Sequence, residues 1–233
     1  MKRALLLLPA LAMTLVAERA RAQNDGDVAA YVALIFTPVG GFAPRAGGAL
    51  PEAGIGGVSL RYGRLSYGDG DATHMFGASG DVRAGSGRLG FTGGVATCDG
   101  CDAIIMVGAD WTTPLVRRTS PSGTFGAGVT TAIGAGFSTE EDADGIALSG
   151  SLGLPLSLVA GNGDGLRAVP FVTPGMGFGA LTGDGGDSGI RPMLGAGIGI
   201  IAANGFGLSA GVQKVFIEGG EPVFGLTLTI GGR

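Results

Sequence analysis

Thr124-Phe125-Gly126-Ala127-Gly128-Val129-Thr130-Thr131-Ala132-Ile133-Gly134-Ala135-Gly136-Phe137-Ser138 alternates strictly between two kinds of residue. Phe125, Ala127, Val129, Ile133, Ala135 and Phe137 occupy one parity, and glycine, threonine and alanine occupy the other. Successive strand side chains point to opposite faces, so this stretch is a strand with one greasy face and one small face. The same design recurs from about Val28 to Ile230. Leu152, Leu154, Leu156 and Leu158 alternate with Gly153, Pro155 and Ser157, and Phe224, Leu226, Leu228 and Ile230 with Gly225, Thr227 and Thr229.

The pattern predicts strands over 28–38, 54–67, 73–84, 86–97, 102–115, 122–138, 145–159, 166–180, 189–202, 205–217 and 221–231. Turn residues divide them, as in Gly68-Asp69-Gly70-Asp71 and Ala203-Asn204-Gly205. Many of these segments reach the ~9–11 residues that a tilted strand needs to cross a bilayer. The fold class expected is all-β, a transmembrane antiparallel up-and-down barrel of about 10–12 strands. Single-chain bacterial barrels have even strand numbers, so one of the eleven segments is surplus or one strand is hidden in 38–53, which is rich in Gly, Ala and Pro.

What precedes the strands fits export. Lys2 and Arg3 are followed by an apolar run from Ala4 to Ala17, and Ala20-Arg21-Ala22 is a cleavage pattern. The expected organisation is a signal peptide over 1–22 and a barrel domain over 23–233. Losing Lys2, Arg3, Arg19, Arg21 and Glu18 takes the formal net charge from −4 to −7. Such an acidic chain lacks the basic face that nucleic-acid binding requires. Glycine supplies 49 of 233 residues, but it falls on alternate strand positions among recurring aliphatics, which is not the pattern of disorder. If both termini are periplasmic, the short links at 85–86 and 203–205 lie there too. The acidic turns at 68–71, 98–102, 139–144, 182–188 and 218–221 then lie outside.

With these features in hand, the chain resembles the small outer-membrane β-barrels of the broad OmpA/OmpW-like group. The resemblance covers the whole mature chain as a pattern. Its one local match is Gly225-Leu226-Thr227-Leu228-Thr229-Ile230, spaced like the terminal signal read by the barrel-assembly machinery, with Ile230 where the group often has Phe. The resemblance implies outer-membrane lipid and that machinery as partners. It carries over no binding residue, because the group shares architecture rather than a site.

Few residues offer chemistry. Cys98 and Cys101 flank Asp99-Gly100 between two strands, and in an oxidising compartment the pair is expected to form a disulfide. Glu140, Asp142 and Asp144 open like a calcium loop, but Ser151 stands where an EF-hand needs Glu. His74 is the only histidine and has no serine or carboxylate at strand spacing beside it. No catalytic residue, cofactor or metal is therefore expected. Arg61, Asp81, Arg83, Arg88 and Asp110 fall on the small-residue face and are expected to form a lumenal charge network. These readings point to a non-enzymatic outer-membrane barrel, either a structural or surface protein or a narrow passive pore whose glycine-lined lumen holds water. The alternative is a soluble periplasmic or secreted barrel with its apolar face inward around a lipophilic ligand. Mass spectrometry of the mature protein is expected to find Gln23 as its first residue, and an intact Met1 would contradict the export reading.

Overall fold

The computed structural model describes residues 25–44, 46, 49, 57–66, 71–98, 102–139, 145–161, 165–183 and 186–231. The signal segment, 1–22, lies outside the described residues. Helix α1 spans Asp25–Ile35. The strands are β1 Gly57–Ser66, β2 Ala72–Ala84, β3 Gly87–Thr97, β4 Ile104–Ser120, β5 Gly123–Ser138, β6 Ile146–Gly153, β7 Leu156–Ala160, β8 Arg167–Leu181, β9 Ser188–Ile201, β10 Phe206–Val215 and β11 Val223–Gly231.

Each strand pairs antiparallel with its sequence neighbours, and β1 pairs with β11 from Gly57↔Gly231 to Leu65↔Val223, closing the ring. β6 and β7 are one stave interrupted at Leu154-Pro155, since both pair with β5 and β8. The proline has no N–H for the ladder, yet its carbonyl still accepts from Gly128 N at 2.9 Å. The result is a closed 10-strand antiparallel up-and-down barrel. No helix of the described residues is long and apolar enough to cross a membrane.

Ten of the eleven expected segments are staves. The segment 28–38 is not: residues 25–35 form the helix. A closed ladder has no free edge, so an eleventh strand has nowhere to pair. The segment is also apolar at both parities (Tyr31, Ala33, Ile35 against Val32, Leu34, Phe36), and a helix that is apolar all round is a buried one. Ala30, Ala33, Leu34 and Ile35 are all 0% exposed.

The helix lies inside the barrel, packed against β6, β8 and β9. It enters at the end that carries the acidic loops: the Tyr31 hydroxyl donates to the Glu221 carbonyl and accepts from the Glu221 N–H, both at 3.1 Å. The following strap then runs down the lumen. Phe42 lies between β2 and β3, and a Cβ on Gly77 would stand 2.7 Å from its ring. Ala46 lies near the far end, 2.5 Å from where a Cβ on Gly199 would be. That far end holds the short links at 85–86 and 202–205 and the last β11 residue, Gly231. Helix α1 begins at the loop end and β11 finishes at the short-turn end, so the described residues start and finish at opposite ends of the ring. Part of the lumen expected to hold water is taken up by the chain itself, for which the small inward residues make room.

The barrel is greasy outside. Leu60, Phe76, Phe91, Ile133, Ile198, Leu208, Phe224 and Leu226 are exposed, from seven different strands. Inside the loop half, Leu65, Met75, Met106, Met193, Val215 and Val223 surround Leu34, Ile35 and Phe42 in one buried cluster. The arrangement is inverted with respect to a soluble barrel around a lipophilic ligand. The shared-parity set reaches the surface, and the interior is filled by protein.

Candidate lumenal site

Four of the five charged residues expected in the lumen face it together. Asp81 on β2, Gly90 on β3 and Asp110 on β4 stand directly opposite one another in register. Gly90 has no side chain, and the two carboxylates close over it: a Cβ there would lie 2.5 Å from Asp110 Oδ1 and 2.8 Å from Asp81 Oδ1. Two residues along β3, Arg88 Nη1 lies 3.8 Å from Asp81 Oδ2, with the two side chains only 8% and 2% exposed. Charges this deep require partners, and here opposite charges come from adjacent strands.

Arg61 on β1 does a different job. Its Nη2 donates to the Ala43 carbonyl at 2.6 Å, and its guanidinium stands 4.8 Å above the Phe42 ring. A cation over an aromatic face adds attraction to the hydrogen bond. Arg61 thus fastens the strap to the wall. Arg83 departs from the expected group. It lies at the turn end of β2, exposed, beside the link at 85–86.

Further polar contacts line the lumen. Thr37 Oγ1 donates to the Leu34 carbonyl at 3.1 Å and lies 2.6 Å from Ser149 Oγ, tying the end of α1 to β6. Thr112 and Thr130 share a hydrogen bond of 2.9 Å, and Ser59 and Thr229 one of 3.0 Å. Beside the strap remains a cavity of about 120 Å³, bordered by Phe42, Arg61, Arg88, Asp110, Thr112 and Gln213 among others. Sequence reasoning missed Phe42 and Ala43, since 38–53 has no periodicity of its own, and it missed Thr37, which it assigned to a strand over 28–38. The signal available was indirect, in the run of inward glycines on facing strands.

The other candidates stand apart from the lumen. His74 is on the outward parity of β2, opposite Arg64 and Thr97, and its Nδ1 is 2.8 Å from the Tyr62 hydroxyl. Tyr62 also packs on Phe76 at 5.3 Å between ring centroids. This outward aromatic group near the loop end has the composition of an interfacial belt. Cys98 follows β3, while Cys101 lies outside the described residues, as do Glu140, Asp142 and Asp144. Among the described residues no group of three or more His, Cys, Asp or Glu is placed to hold a metal ion.

No protein-family model matches the sequence, and no curated protein matches it. Among solved structures, the chain is similar to one described as the crystal structure of the outer membrane enzyme PagL, at 13% identity and a TM-score of 0.37, covering 75% of this chain and 99% of that one. The fold itself is the closed 10-strand antiparallel up-and-down barrel described above. No match names the OmpA/OmpW-like group, so the resemblance holds at the level of the barrel alone. The expectation of a chain without enzymatic activity is corrected here: that similar structure is described as an enzyme.

Proposed function

We propose that this protein resides in the outer membrane as a structural or surface barrel closed at rest by its own N-terminal segment. One observation carries the reading: aliphatic and aromatic side chains cover the outside of the ring while residues of 25–49 occupy its inside. An exposed apolar belt of this extent is costly in water and favourable in lipid. The packing of Leu34, Ile35 and Phe42 against apolar wall residues at the loop end supports a lumen closed to free diffusion.

Contact with lipid tests the first half of this reading. Spin labels at Leu60, Ile198 and Leu226 are expected to be relaxed by oxygen dissolved in the bilayer, and a label at Arg118 on the β4–β5 hairpin by a water-soluble reagent. A protein that stays monodisperse without detergent, or belt labels relaxed only from water, would remove the membrane assignment. In this reading the signal segment is cleaved after Ala22, lipid contacts the belt, and the assembly machinery reads Gly225 to Ile230 on β11. Cys98 and Cys101 form a disulfide in the oxidising compartment. Thiol labelling of freshly isolated protein without reductant is expected to find neither, and two reactive thiols would refute the pairing. The closed loop is so short that little stability comes with it.

A further inference from the structure

We propose that the segment 25–44 is a displaceable plug, and that its release turns the closed barrel into a pore for ions and small hydrophilic solutes. This rests on the closed-at-rest reading above and adds to it an activity of the same lumen.

The argument starts from the wall. At the loop end, the wall facing α1 is apolar, as a permanent core would be. Further down, the wall facing the strap is mixed: Val159, Val169, Phe171 and Ile201 form an apolar group around Ala46, while the rest is hydrophilic, with Ser59, Arg61, Arg88, Thr112, Gln213 and Thr229 all between 1% and 7% exposed. A permanent core has no use for such a wall, since each buried polar group there must find a partner or cost free energy. Ser79 Oγ, Ser157 Oγ and Gln213 Oε1 are buried and find no hydrogen-bond partner among the described residues. A wall of this chemistry is at ease when it faces water. It is the lining of a channel, with part of the chain laid over it.

The fastening is of the same kind. The strap meets glycines of the wall at backbone distance, as Gly41 does at Gly63 and Phe36 at Gly136. Among the described residues the polar ties of the segment are chiefly Tyr31 to Glu221, Arg61 to Ala43 and Thr37 to Ser149. The ring, by contrast, is held by a closed ladder in which each strand pairs with both neighbours. Local opening begins where stabilising contacts are fewest, so the plug opens before the ring does. Helix α1 has 11 residues, shorter than the ~12–15 at which an isolated helix becomes marginal in water, so once released it does not persist as a stopper. The bared lumen carries Arg61 and Arg88 against Asp81 and Asp110, and Arg167 and Arg191 share the inward parity of β8 and β9. The excess of positive charge gives a pore that prefers anions.

The experiment is conductance of the full chain in a planar bilayer, with and without urea below the concentration that unfolds the ring. A second variant, Thr37→Cys/Ser149→Cys, ties strap to wall at a position where the native oxygens are 2.6 Å apart. Without urea the wild type is expected to be silent. In urea its open probability is expected to rise by about tenfold or more, and to fall again on dilution, as denaturant weakens the plug. The oxidised double-cysteine variant is expected to remain silent in the same urea and to open like the wild type after reductant. Wild type is treated with reductant in parallel, because Cys98 and Cys101 respond to it as well. If the oxidised variant opens as readily as the wild type, the plug is not the gate. If urea makes a cysteine placed at Ala43 reactive to a water-soluble reagent but no conductance follows, the released lumen is not a pore. Either result overturns the proposal. Steady conductance of the wild type without urea overturns instead the closed-at-rest reading on which it stands.

Discussion

Leu34→Ala is expected to loosen the plug while leaving the ring intact. Leu34 is 0% exposed and belongs to the cluster with Ile35, Phe42, Met75 and Met193. Its side chain fills the space over Gly177, where a Cβ would lie 2.8 Å from Leu34 Cδ2. Truncating a buried leucine costs about 2–5 kcal/mol, through lost transfer free energy and the cavity left behind. Here the cavity opens between the plug and the wall, so the cost falls on the equilibrium between seated and released plug. The measurement is the urea midpoint for reactivity of a cysteine at Ala43, set beside the midpoint for loss of the barrel's heat-resistant mobility on gels. The first is expected to drop clearly and the second to hold. Equal shifts in both would mean that plug and ring unfold as one unit, and no shift in the first would mean that Leu34 does not seat the plug.

The second large effect is on the outside. Leu226 is in the middle of β11, 49% exposed on the apolar belt. Replacing it by arginine is expected to cost about 2–4 kcal/mol if it lies at the bilayer midplane, because a lipid-facing charge has no water to solvate it. The measurement is equilibrium folding into vesicles, with Ser122→Arg at the exposed tip of the β4–β5 hairpin as the reference that is expected to change little. A Leu226→Arg protein as stable as the reference would show that the belt does not face acyl chains. The neighbouring inward position behaves differently from what alternation alone suggests. A watery lumen would tolerate arginine at Thr227, but Thr227 is only 6% exposed. Overfilling such a site costs about 1–3 kcal/mol.

Local order made most of the ring legible. A strand carries its own signature, since period-two alternation and turn residues are read without knowledge of any partner. That is why 122–138 and 205–217 coincide with β5 and β10 to within two residues. The segment 28–38 was misassigned because apolar content outweighed its missing alternation, and the consequence was one strand too many. Counting along the strands puts Arg61, Asp81, Arg83, Arg88 and Asp110 on one parity, and Arg83 stands opposite Arg88 in register. Depth along the barrel is not given by counting, and Arg83 lies exposed at the turn end of β2.

What the amino-acid order determined by itself, then, is the barrel: alternation, turn spacing and an apolar parity too large for an interior. What only the tertiary structure decided is the content of the barrel. Glycine and serine on an inward face say that space is left there, and they are equally suited to water and to a passing backbone. Whether that space holds solvent or chain depends on contacts between residues far apart in sequence, such as Thr37 with Ser149 and Tyr31 with Glu221. Contacts of that range leave no periodic trace in either segment, so the plug became visible only when ring and strap were seen together.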